Sequence, residues 1–271
     1  MTDATAPVIL TEVTDRIGTI TLNRPHRRNA LNRELIGALD IAVREMAERD
    51  DVKVVILTGA PGAGALGGFC AGGDIKESSA VRGEGRADPP LHPLEGDLSR
   101  HDQQAAMLLH TMPKPTIAMI GGPAVGAGCS LAAACDLRFA SDDAVFASSF
   151  SANGLSGDYG GTFFWTRIIG TARTRELYFL NDKLTAQQAY HWGMVNRVVP
   201  AAELRDYTME VARRLLRTPA SLLALVKDNL NQAEDDPDRR RTLFGAEAAN
   251  QLQAVKDIAA RLQRTAPPSA R

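Results

Sequence analysis

Cysteine is scarce in this chain and badly spaced for pairing. Its 271 residues hold three, Cys70, Cys129 and Cys135. An odd number without CxxC spacing argues against both a disulfide framework and a zinc site, and predicts reduced thiols. Histidine is almost as thin. His26, His92, His101, His110 and His191 form no HExxH pattern and none adjoins a cysteine, so they read as surface or core fillers. Charge of one sign is lacking too: 31 Lys plus Arg against 32 Asp plus Glu leave a formal net charge of −1. No global positive field exists to hold nucleic acid or an anionic membrane, and any anion must be bound locally. No apolar run approaches the ~20 residues of a membrane span, and the start MTDATAP has neither the basic nor the apolar region of a signal peptide. The expectation is a cytosolic protein.

What is present is a composition of 44% hydrophobic and 23% charged residues, enough for one large core. The first half alternates β-branched runs with helical stretches: VILTEV, then ITL within 17–22, then a helix, then KVVILT, and later Thr116–Ile120. That alternation predicts an α/β core. After Asn29 the spacing of Leu31, Leu35, Leu39, Val43 and Met46 gives a helix one apolar stripe to lay on a sheet. The stretch from Lys76 to about Ser99 is polar and rich in Pro and Gly, which predicts a surface loop beside a site. From Ala201 onward the pattern is helical, through 201–217, 221–233 and a final segment from Asp238 to about Arg264. The reading is a core over 1–200 followed by a helical region over 201–271.

Three glycine-rich turns carry the candidate chemistry. Gly62 to Gly67 matches GxGxxG, but the glycines that follow cannot propagate the helix a dinucleotide fingerprint requires, so the match is a coincidental loop. Within FCAGGDIKE, a helix starting near Gly73 and Asp74 would leave the Gly73 amide an unpaired donor at a positive dipole end, and an ordinary turn with a cap explains the same residues. GGPAVGAG, between the apolar strand TIAMI and the short apolar helix CSLAAAC, is a second such place. Two strand, glycine-turn, helix units can aim two amides at one oxygen, as an enolate or oxyanion requires. A serine hydrolase does not fit, because the segment around Ser130 lacks the final Gly of GxSxG. In the third turn, Asp158 is a lone carboxylate among glycines beside the apolar TFFWTRIIG. Burial could raise its pKa into an acid–base range, and a helix N-cap is the competing account.

Taken together, ITLNRPHRRNALN, VVILTGA, GFCAGGDIKE, KPTIAMIGGPAVGAGCSLAAACDLRFAS, GDYGGT and LTAQQAYHWGMVNRVVP resemble, in order, the motifs of the crotonase family, the enoyl-CoA hydratase/isomerase superfamily. The resemblance implies a spiral of ββα units with a helical C-terminal region serving as an oligomerisation or lid element. It implies homotrimers or dimers of trimers, acyl-CoA thioester substrates of fatty acid metabolism, no metal, and no cofactor beyond the CoA that enters with the substrate. The two oxyanion amides of the family fall on Gly73 and Ala127. Its CoA-binding stretch falls on Arg28 and Ala30, and on Asp74, Ile75 and Lys76, where basic groups would suit phosphates.

The acids depart from the family pattern. Hydratases of the family carry two glutamates, and the matching positions here are Ser130 and Phe150. Asp158 instead stands at the turn where certain isomerases and a dehalogenase of the family carry aspartate. With one carboxylate, the expectation is double-bond isomerisation of an enoyl-CoA with Asp158 as acid and base. Hydration is the alternative, a non-catalytic acyl-CoA binder is another, and nucleophilic dehalogenation ranks last. Phe163, Phe164 and Trp165 read either as helix packing or as an acyl pocket, and a part for Lys227 or Phe244 in CoA binding is left open.

Overall fold

The computed structural model describes residues 6–62, 68–74, 104–153 and 155–235. The polar loop, Ile75, Lys76, most of the GxGxxG stretch, Phe244 and the final helical segment lie outside the described residues. Strands β1 (Ile9–Thr14), β2 (Ile17–Leu22), β3 (Val54–Gly59), β4 (Thr116–Ile120), β6 (Leu137–Ser141) and β9 (Arg197–Val199) form a six-stranded sheet in the order β1-β2-β3-β4-β6-β9. Only the β1/β2 hairpin is antiparallel; the other pairs are parallel. Strands β5 (Ala124–Val125), β7 (Val145–Ala147) and β8 (Leu184–Thr185) form a smaller sheet.

The chain visits the two sheets in turn and then turns helical. β4 leads to β5 and to helix α3 (Ala127–Ala134); β6 leads to β7 and to α4 (Gly161–Leu180). β3 begins the same course, since Cys70, eleven positions past its end at Gly59, makes a parallel bridge to Ala124 at the small sheet. These are the ββα units that the family resemblance implies.

Why the central strands read as unbroken apolar runs is clear from their two faces. Val55 and Leu57, with Ala118 and Ile120, point to a core shared with α1 (Arg33–Glu48) and α2 (Gln104–Thr111). The alternate residues Val54, Ile56, Ile117 and Met119 point to a second cluster with Phe139 and Leu204. A period of two with both faces covered is what a buried parallel sheet requires. Helix α1 is the striped helix predicted after Asn29. It starts where the Asn32 side chain accepts from the Leu35 amide at 3.0 Å, an N-cap that leaves Leu31 just outside.

Past residue 200, a 3-10 turn precedes α6 (Leu204–Leu216), and α7 is Ala220–Asp235, following α5 (Ala186–Trp192). Leu204 and Ala212 of α6 are buried against the second sheet face, so this helix closes the core. α7 is anchored by Lys227, whose Nζ lies 2.8 Å from Asp136 and donates to the carbonyls of Leu109 at 2.8 Å and Lys114 at 3.1 Å. The side chain of Lys227 is thus committed to holding α7 on α2 and the start of β6.

Candidate active site

Strand register brings the first two glycine turns together. Cys70 donates to the Pro123 carbonyl at 3.0 Å and accepts from the Val125 amide at 2.9 Å, setting a parallel bridge between Cys70 and Ala124. Counting three residues onward along both chains reaches Gly73 and Ala127. A side chain on Gly72 would place its Cβ 2.8 Å from the Val125 carbonyl oxygen and 3.5 Å from the Gly126 Cα. Both residues also sit at positive φ, 86° for Gly72 and 54° for Gly126, so glycine is needed for conformation and for closeness at once.

The peptide planes are fixed from behind. The Leu31 amide donates to the Gly72 carbonyl at 2.7 Å, and the Ser130 amide donates to the Gly126 carbonyl at 3.1 Å. In a trans peptide the N–H points opposite to its carbonyl, so the Gly73 and Ala127 amides face away from these anchors. Neither donates to an acceptor among the described residues. Around the Cβ position of Gly73 nothing described lies within 4 Å. Ala127 is the first residue of α3, whose N-terminus has no side-chain cap, so the positive end of the helix stands behind its amide. Gly73 itself lies in a bridge to Leu31, and the helix expected to begin there falls outside the described residues.

Asp158 is not the N-cap of α4. That place is taken by Gly160 at φ 68°, without any side-chain cap. The Asp158 main-chain carbonyl accepts from the Gly161 amide at 3.0 Å, while carboxyl oxygen Oδ1 is buried with no partner among the described residues. Burial raises its pKa from the ordinary 3.8 to about 7, because an ionised carboxylate loses hydration there without gaining a donor. Its charge acts on the Cys70 thiol and on the Tyr178 phenol, which places it within electrostatic reach of the strand that leads to Gly73. Of the two accounts of Asp158, the structure favours an unsatisfied carboxyl over a cap.

The positions matching the two family glutamates are filled by a block without charge. Ser130 is fully buried in α3 and hydrogen-bonds the Tyr178 hydroxyl of α4. Phe150 is buried and stacks on the Tyr178 ring, with centroids 5.8 Å apart and planes at 18°. Tyr178 therefore fills the space between both positions and passes beneath the turn carrying Asp158, 3.4 Å from the Cβ position of Gly157. No local pattern signals this contact: Tyr178 is twenty residues from Asp158, and only the α4 path brings it back. Cys70, Cys129 and Cys135 are free, buried thiols, each pushed up to about 12 by burial, and none can serve as a thiolate. Trp165 is fully buried and Phe164 nearly so, while half-buried Phe163 lies under Arg167 at 3.5 Å, an arrangement of helix packing.

The segment matched to CoA binding divides in two. Arg28 is exposed at φ 52° and its carbonyl accepts from the Ala71 amide at 3.1 Å, so the residue borders the first glycine turn with its guanidinium outward. Ala30 is buried, its amide donating to Arg27 and its carbonyl accepting from Arg24 Nη1 at 2.6 Å. Asp74 has its carboxylate 3.0 Å from Arg24 Nη2 and 3.9 Å from Arg27 Nε, nearly closed to solvent. Two polar residues that sequence reasoning passed over organise this corner. Arg24 is one; the other is Asn29, fully buried, which accepts from the Arg24 amide and donates to the carbonyls of Ala60 at 3.0 Å and Gly68 at 2.6 Å. Their place in NRPHRRNALN was the available signal, since two polar residues flanking a turn must find partners when buried.

Comparison with known proteins agrees with this architecture. The sequence profile of the family described as enoyl-CoA hydratase/isomerase matches residues 12–264. The chain is 36% identical over 228 residues to a 1,2-epoxyphenylacetyl-CoA isomerase of Escherichia coli, covering 83% of this chain and 82% of that protein. It is 32% identical over 235 residues to a 4-chlorobenzoyl coenzyme A dehalogenase of an Arthrobacter species, covering 84% and 79%. Among solved structures, an enoyl-CoA hydratase described as putative from Thermobifida fusca, in complex with CoA, superimposes with a TM-score of 0.81 at 27% identity over 94% of this chain and 95% of that one. The chain belongs to the enoyl-CoA hydratase/isomerase family, with the crotonase fold. It is an enzyme of that family by descent, and no described helix is long and apolar enough to cross a membrane.

Proposed function

We propose that this protein isomerises the double bond of an enoyl-CoA thioester, with Asp158 as the single acid and base and the Gly73 and Ala127 amides receiving the thioester oxygen. The observation that carries the reading is the buried Asp158 carboxyl, whose Oδ1 has no partner among the described residues and whose pKa burial raises to about 7, together with two amides that meet no acceptor among those residues. Polarised by two N–H groups, the thioester carbonyl makes its neighbouring C–H acidic, since negative charge developing on oxygen meets dipoles already in place. A carboxylate with a pKa of about 7 is well matched to that task near neutrality. It takes a proton from C2, leaving a dienolate whose negative charge rests on the thioester oxygen. It returns the proton at C4, and the double bond moves into conjugation with the carbonyl.

Hydration would need a held water and management of two protons. The block of Ser130, Phe150 and Tyr178 offers neither a carboxylate nor a charge at the two matching positions. The resemblances to proteins named as a 1,2-epoxyphenylacetyl-CoA isomerase and as a short-chain-enoyl-CoA hydratase support the shared CoA-thioester chemistry. CoA would reach the site along the corner of Arg28 and Ala30, and trimeric or hexameric assembly is proposed from the family resemblance.

The test is a mass-resolved panel of short, medium and aromatic 2- and 3-enoyl-CoAs with the wild-type protein and with Asp158→Asn. The expected result is an isobaric product from a 3-enoyl-CoA, formed about 10²- to 10⁴-fold more slowly by Asp158→Asn. A product 18 mass units heavier would indicate hydration, and tight binding without any product would indicate a binder.

A further inference from the structure

We propose that Asp74 is a positioning residue for the Gly73 oxyanion donor, acting through its ion pair with Arg24, and that its carboxylate is not a ligand of the CoA moiety. This rests on the oxyanion reading given above and assigns a part to a side chain next to it.

The Gly73 amide belongs to a short segment whose bridge at Gly73, among the described residues, is to Leu31. Its direction depends on two hydrogen bonds to one residue: the Leu31 amide to the Gly72 carbonyl at 2.7 Å, and the Asp74 amide to the Leu31 carbonyl at 2.9 Å. The turn that carries Leu31 must itself be held. Arg24 does this by donating through Nη1 to the Ala30 carbonyl at 2.6 Å. Its other terminal nitrogen meets the Asp74 carboxylate at 3.0 Å. One guanidinium thus fastens the residue before Leu31 to the residue after Gly73, closing a ring around the peptide whose N–H faces the site. Both side chains are nearly inaccessible, at 9% for Arg24 and 5% for Asp74.

A carboxylate so placed cannot reach a phosphate and would repel one. The planar fork of arginine makes two directed contacts from one group, a geometry a lysine ammonium lacks. Displacing a transition-state donor by a fraction of its hydrogen-bond length weakens it where charge develops and leaves ground-state binding nearly unchanged. A positioning role therefore separates kcat from affinity, whereas a CoA ligand would move affinity first.

The experiment compares wild type, Asp74→Asn, Arg24→Lys and Asp158→Asn in the full chain. Three readouts are taken: kcat with a 3-enoyl-CoA, the Kd of a saturated acyl-CoA, and the infrared stretch of that acyl-CoA carrying carbon-13 at the thioester carbonyl. Asp74→Asn should lower kcat about 10- to 100-fold, the scale of a misplaced catalytic group. Its Kd should hold, and the carbonyl stretch should move back toward its value in water. Arg24→Lys should show the same pattern more weakly, and serves alone if Asp74→Asn does not fold. Asp158→Asn should lower kcat about 10²- to 10⁴-fold with the carbonyl shift intact.

A weakened Kd with unchanged kcat in either Asp74→Asn or Arg24→Lys would overturn the proposal in favour of a CoA contact. Unchanged kcat and carbonyl stretch would overturn it in favour of a purely structural pair. No carbonyl shift in the wild-type protein would overturn the oxyanion reading itself, and a wild-type shift retained in Asp74→Asn would overturn only the Asp74 assignment.

Discussion

The two halves of the candidate site are built in opposite ways. The oxyanion side is all main chain: Gly73 and Ala127 are brought level by strand register, and each peptide is pinned through its carbonyl from behind. The acid side is one side chain on a turn where Gly157, Tyr159 and Gly160 all sit at positive φ, and the carboxyl oxygen Oδ1 has no partner among the described residues. The difference teaches where each half is vulnerable. A main-chain site fails when packing shifts, whatever side chains line it. A side-chain site fails on one substitution and leaves the fold alone or even steadier.

The largest effect should come from the acid half. Asp158→Asn is expected to cut isomerase kcat by about 10²- to 10⁴-fold, the range for a lost general base, with acyl-CoA affinity kept. Steady-state kinetics beside equilibrium binding would check this, and a loss of affinity in step with kcat would erase the distinction between the halves.

Next is Gly128→Ala in the oxyanion half. Its Cβ would collide with the Cys70 carbonyl oxygen and stand 2.6 Å from the Cys70 Cβ, so α3 must move off the strand that sets the register. Overpacking of this kind costs about 1–3 kcal/mol. Thermal unfolding should register that loss together with a fall in kcat.

Lys227→Met should sharpen the contrast from outside the site. It removes the anchor of α7 and one partner of Asp136, whose partly exposed carboxylate keeps the Thr116 amide and hydroxyl as donors, so the cost is about 1–3 kcal/mol. Below the lowered melting temperature, kcat and KM should stay as in the wild type.

A smaller effect concerns pH. The Asp158 carboxyl holds its proton more tightly folded, at about 7, than at the ordinary 3.8, so the folded state binds more protons between these values. Stability from this group is present at low pH and is lost as pH rises toward and through 7. Asp158→Asn removes that loss. The melting temperature of the variant should gain on the wild type from about pH 4 to pH 7 and then stay level. Activity runs the other way in wild type, rising through pH 7 as the base ionises. Smallest of all, thiol reagents should leave the native protein unlabelled, as three buried thiols held near pKa 12 offer no thiolate.

Legibility in the sequence followed the same division. Periodicity predicted α1, the central strands and the buried helix after GGPAVGAG, because those features depend on local pattern. Asp158 stood out because a lone carboxylate among glycines is conspicuous. That Gly160 is the cap, leaving the carboxyl unsatisfied, depends on backbone dihedrals that residue types leave open. The bridge of Cys70 to Ala124, on which the convergence of Gly73 and Ala127 rests, joins residues 54 apart in a register that the family resemblance implied and periodicity could not supply. Tyr178 packing between Ser130 and Phe150, and the pairing of Asp74 with Arg24, are long-range side-chain contacts with no local signature.

The central claim is that one carboxylate carries a proton between C2 and C4 of a polarised thioester. The most direct measurement uses a 3-enoyl-CoA deuterated at both C2 positions, turned over in ordinary water and read by mass spectrometry and NMR. The account predicts a 2-enoyl-CoA with part of the transferred deuterium retained at C4. A hydroxyacyl product, or complete loss of the transferred label to solvent, would contradict it.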